Sequence, residues 1–155
     1  MSENMLKIEN ILFLFTEDVL QKIFSEKNES KAKAEAKRIL VMFAKCTEDN
    51  GRTESNEMMA INAIGRIGLA YGGEVGEDAL AILRDRKGAL ATHWIGQIGE
   101  KRPELKEQAA EALRFRLENH EALEVNPVDV KAVLKQVNAP KEQVAHSEPN
   151  LGNMG

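Results

Sequence analysis

The residues Ile64-Gly65-Arg66-Ile67-Gly68 recur 31 positions later as Ile95-Gly96-Gln97-Ile98-Gly99. The segments that follow match at an offset of 30, with Glu74, Glu77, Ala79, Leu83, Arg84 and Arg86 meeting Glu104, Glu107, Ala109, Leu113, Arg114 and Arg116. The one-residue slip falls at a turn, where length is free to vary. A unit this short cannot bury its apolar face alone, so a repeated unit of this kind has to stack on its neighbour. The glycines say how closely. Inside a helix each costs about 1 kcal/mol relative to alanine, yet each unit keeps two of them, three positions apart and therefore on one flank. Without a Cβ there, a second helix can approach. Gly65 and Gly96 are accordingly expected at helix–helix contacts rather than being merely poor helix residues near a C-terminus.

The surrounding periodicity is helical throughout. Met5, Ile8, Leu12, Phe15 and Val19 form a stripe over residues 3–26, although Thr16-Glu17-Asp18 resembles a cap that would split this stretch into two helices. Asn28-Glu29-Ser30 breaks the pattern, with Ser30 as the expected cap of a helix over 31–46 carrying Ala36, Ile39, Leu40 and Phe43. After a polar loop containing Asn50-Gly51, helices are predicted over 55–71, 74–86, 89–100 and 103–119. Gly72-Gly73 stops the first, Gly88 stands where a left-handed cap would end the second, and Pro103 opens the fourth. Asn126-Pro127 repeats the cap-then-proline signal before a last short helix. No stretch alternates with period two for long enough to make a strand. The expected fold is all-α: a single domain over 1–140, followed by an aperiodic tail, 141–155.

The segments AIGRIG (63–68) and WIGQIGE (94–100), each followed by a helix with an alanine–leucine core, resemble the short HEAT-like repeats found in phycobiliprotein-lyase proteins. Glu100 fills the acidic position that follows the motif; Leu69 does not, and Ala89-Leu90 replaces the usual Val-Arg pair. The resemblance covers about residues 55–119. It implies a right-handed stack of antiparallel helical hairpins, an α-α superhelix whose second helices line a concave face. The flanking helices would then cap the stack. The family hosts scaffolds, chaperone-like adaptors and a few enzymes, so the likeness implies a fold more than an activity.

Composition narrows the function classes. The 155 residues are 43% hydrophobic and 30% charged with net charge −4, which disfavours a general nucleic-acid binder. No apolar run approaches the ~18 residues of a membrane span, and the start lacks a cationic leader, so a cytoplasmic location is expected. A lone cysteine, Cys46, excludes an intramolecular disulfide framework and is expected to be buried. His93, His120 and His146 have no metal-ligand spacing. There is no P-loop, no G-x-S-x-G and no strand-borne G-x-G-x-x-G. Neither a cofactor, a metal nor catalysis is expected.

The arginines carry more information. Arg84 and Arg114 occupy equivalent positions, as do Arg86 and Arg116, so a stack would turn them into two ladders with rungs about 10 Å apart. Residues two apart on a helix point ~200° from each other, which places the ladders on opposite flanks of the apolar stripe. Each ladder can meet a partner, or it can lie along the core edge and cap helix C-termini. Trp94, the only tryptophan, is a further partner-binding candidate, with packing against the last helix as the competing role. The expected function is that of a small protein–protein interaction module: an adaptor, scaffold or chaperone-like subunit that holds another protein or peptide. The alternative is a regulator touching nucleic acid through the arginine ladders.

Overall fold

The computed structural model describes residues 15–48 and 54–139. Over these residues the fold is all-α. Helix α1 covers 15–25 and α2 covers Glu29–Glu48. They are followed by α3 (Glu54–Tyr71), α4 (Gly73–Leu83), α5 (Ala89–Lys101), α6 (Lys106–Glu118, entered through a 3-10 turn at Pro103–Leu105) and α7 (Pro127–Asn138). Residues 3–14 of the first predicted helix, and the tail 141–155, lie outside the described residues. Among the described residues, α1 is helical through Thr16, Glu17 and Asp18.

The helix ends follow local chemistry. Asn28, not Ser30, caps α2: its Oδ1 accepts the Lys31 N–H at 3.0 Å, leaving Ser30 inside the first turn. Asn126 caps α7 by accepting the Val128 N–H at 2.9 Å, with Pro127 at the first helical position as expected. Helix α4 stops at Leu83, three residues before its predicted end, and Gly88 is not its cap. Gly88 instead enters α5 with φ 96°. An arginine side chain from α6 serves the end of α4 in place of a glycine cap.

Two layers result. Helices α3, α5 and α7 pack side by side in one, and α2, α4 and α6 in the other. Helix α1 joins the first layer: the Tyr71 hydroxyl of α3 donates to the Ile23 carbonyl at 3.0 Å, and Arg66 pairs with Glu17 at 2.7 Å. Burial pushes the Tyr71 phenol above its ordinary 10. In the second layer Lys37 of α2 pairs with Glu74 of α4, which holds the carboxyl below its usual range and the amine above. The core between the layers is a sheet of branched aliphatics, with Ile64, Ile67, Leu83, Ile95, Ile98 and Leu113 all fully buried. Each is worth about 1.5–3 kcal/mol of apolar transfer.

The glycines act as the repeat requires. A Cβ on Gly65 would overlap the Trp94 ring, and one on Gly96 would overlap Val133. Gly68 faces Ala79 and Ile98, and Gly99 faces Ala109 and Val137. Helix α7 therefore sits on α5 as α5 sits on α3.

Candidate functional site

The two arginine ladders have separate fates. Arg116 is completely buried. Its Nε donates to Thr92 Oγ1 at 2.8 Å and its Nη2 to the Gly88 carbonyl at 2.8 Å. Its Nη1 reaches three carbonyls: Leu83 at 3.2 Å, Arg84 at 3.0 Å and Arg86 at 2.6 Å. The last turn of α4 leaves carbonyls without helical partners, and a planar fork of five N–H donors suits such a cluster. Burial pushes the guanidinium down to about 10, with Asp85 opposing, so it stays charged at neutral pH.

Arg86, the equivalent residue of the first unit, is also engaged within the fold. Its Nε donates to Thr47 Oγ1 in the last turn of α2 at 2.6 Å, and its Nη1 pairs with Asp85 at 2.6 Å. Arg86 and Arg116, taken from the sequence as partner-binding candidates, are thus occupied inside the fold. The physical reason is the ~200° separation: one ladder turns toward the preceding helix ends and the other turns out.

The outward ladder is Arg84 and Arg114, both exposed. The Arg84 guanidinium lies over the Phe115 ring, 3.7 Å from its centroid. Among the described residues Arg114 has no ion-pair or hydrogen-bond partner. Arg84 is the residue that ends α4 and Arg114 lies in the C-terminal half of α6, where helix dipoles favour cations. Phe115 is not singled out by the repeat, because Asp85 stands at the equivalent position in the first unit.

Trp94 is half-buried, and its indole seats on Gly65 while its Nε1 donates to Asn62 Oδ1 at 2.8 Å. It packs on α3. On α7, Val133 stands opposite Gly96 and Val137 opposite Gly99 of α5.

No protein-family profile, curated protein or solved structure matches the chain.

The remaining sequence candidates stand apart from this face. His93 is exposed and meets the Trp94 ring edge-on at 5.5 Å, and His120 lies in the turn after α6. His146 is outside the described residues. Cys46 is a free, half-buried thiol rather than a fully buried one. Among the described residues no group of three His, Cys, Asp or Glu could hold a metal ion, and no helix is long and apolar enough to cross a membrane. A 440 Å³ recess lies between Met58 and Ile61 of α3 and the entry to α5 at residues 87–90, bounded by Glu57 and Glu124. The Gly88 N–H donates to the Leu123 carbonyl at 2.9 Å, and Lys87 pairs with Glu124 at 3.3 Å, so this segment is strapped to the α6–α7 turn.

Proposed function

We propose that this chain is a small cytoplasmic protein–protein interaction module, a short HEAT-like stack of helical hairpins that grips an acidic segment of another protein. The observation that carries the reading is Arg84 stacked on Phe115 beside an exposed Arg114. Arginine and aromatic side chains are the types enriched at interface hot spots. A guanidinium already held against a ring has less freedom to lose on binding. Its planar fork can donate two parallel hydrogen bonds to a carboxylate.

Nucleic acid is a poorer fit to the same face. Glu77 and Glu107 stand seven residues before Arg84 and Arg114 on α4 and α6, about 10 Å along the helix axis. A phosphate backbone following the face would run into them.

The test compares the chain with its Arg84→Glu/Arg114→Glu variant as baits in extracts of the source cell, with mass spectrometry of what co-elutes. The reading expects a partner retained by the first and lost by the second, while the melting temperatures stay within about 2 °C. Equal capture by both baits would overturn it. Binding to nucleic acid with a steep inverse dependence on salt would favour the alternative.

A further inference from the structure

The acidic residues on and around α4 and α6 divide into those the fold consumes and those it leaves. Glu74 is paired with Lys37 of α2, Glu104 accepts the Gly73 N–H, and Asp85 is held by Arg86. Glu77 and Glu107 are exposed, and among the described residues no ion pair or hydrogen bond uses their carboxylates. They occupy equivalent positions of the two units, and Arg84 and Arg114 follow them by seven residues. Seven residues fall about 20° short of two full turns. Each glutamate therefore shares a helix face with its arginine, about 10 Å away along the axis.

Two hydrogen bonds hold α4 and α6 in register. Gln108 Nε2 donates to the Glu77 carbonyl at 3.0 Å, which sets Glu77 level with the residue after Glu107. At the other end Arg116 Nη1 donates to the Arg84 carbonyl at 3.0 Å, which sets Arg84 level with the stretch 114–116. The helices run parallel, and the four positions mark the corners of a rectangle. One edge is acidic, Glu77 and Glu107; the other is basic, Arg84 and Arg114. Glu111, also exposed, carries the acidic side of α6 one turn further toward Arg114.

Such a face rejects partners as sharply as it accepts them. A segment acidic along its whole length satisfies Arg84 and Arg114 but lays like charges over Glu77 and Glu107. Juxtapositions of that kind are what exclude wrong partners. A uniformly basic segment fails in the opposite way. Only a segment carrying both signs about 10 Å apart meets all four corners. In an α-helix that spacing is two turns, and a helix offers both rows in a fixed geometry with little left to order on binding.

We infer that this face takes a helix of mixed charge, with carboxylates over Arg84 and Arg114 and, two turns away, basic side chains over Glu77 and Glu107. The inference rests on the reading of the two arginines as a binding pair, and it adds the two glutamates as the residues that choose among acidic partners.

Two labelled, alanine-based helical peptides test this by fluorescence anisotropy with the full chain at low salt, where exposed charges are least screened. One peptide carries two glutamates two turns from two lysines; the other carries glutamates at all four places. The chain should bind the mixed peptide at least about tenfold more tightly. Glu77→Lys/Glu107→Lys should reverse that preference. Glu77→Gln/Glu107→Gln, which adds no new charge, should largely remove it while keeping the helical circular dichroism, which covers the case of a misfolded lysine variant. Arg84→Glu/Arg114→Glu should weaken binding of the mixed peptide at least about tenfold. If the chain binds the all-glutamate peptide as tightly as the mixed one, or if both glutamate variants keep the original preference, the inference is overturned and the arginine pair stands without it. Binding of neither peptide, or binding that reversal of the arginines does not weaken, overturns the inference together with the reading it rests on.

Discussion

Replacing Arg116 by methionine is the sharpest probe of how this fold is held together. Methionine matches much of the arginine stem in volume, so packing against the neighbouring helices is largely kept. What disappears is the fork of donors that serves Thr92, Gly88, Leu83, Arg84 and Arg86. Leaving a buried polar group unsatisfied costs about 1–3 kcal/mol each. Three of the four carbonyls lie near the surface end of the loop and would be rehydrated, and removing a buried cation returns part of its desolvation cost. The net loss should be about 3–5 kcal/mol, a large share of the ~5–15 kcal/mol that keeps a domain folded. In urea unfolding, with a slope of ~2 kcal/mol/M, the midpoint should fall by roughly 2 M. Arg116→Lys should recover little, because a point charge with three donors cannot serve five acceptors spread in a plane. Arg86→Met, which forfeits one hydroxyl and one half-exposed carboxylate, should cost only about 1 kcal/mol. A midpoint for Arg116→Met within about 0.3 M of wild type would refute the claim that this guanidinium caps α4 at a net gain.

The glycine contacts are checked by a size swap. Gly96→Ala should cost about 1–3 kcal/mol through overlap with Val133, and adding Val133→Ala should restore part of it in the same urea titration. The Glu104 carboxylate is held below its ordinary 4.5 first by its own backbone N–H and then by the Gly73 N–H, which donates to it at 3.1 Å. A depressed folded-state value means that the stabilisation is complete above the unfolded value and fades as pH falls through the folded one. The melting temperature of Glu104→Gln should therefore fall less than that of the wild type between about pH 5 and 3. Asn126→Ala removes the cap of α7 and should cost about 1 kcal/mol, read by the same melts.

Much of this architecture is legible in one dimension because it depends on spacing. Among the described residues the apolar stripes match seven helices, and the paired glycines at 65/68 and 96/99 mark where helices touch. Asn126-Pro127 gives the start of α7, since a cap acts within two residues of itself. The extent of α4 is not local. It ends at Leu83 because a side chain 33 residues later takes its carbonyls, and no pattern around Gly88 encodes that. Contacts distant in sequence also separate the ladders: equivalent positions made Arg86 and Arg116 look as available as Arg84 and Arg114, and only the packing of α4 on α2 and of α6 on α4 engages Arg86 and Arg116 within the fold. Trp94 shows the same division, its seat fixed by the glycine it covers on the preceding helix rather than by its neighbours in sequence. Helices, caps and close contacts follow from short-range spacing. Which face of a helix is left for a partner follows from which side chains the neighbouring helices consume, and that is settled only once the layers are stacked.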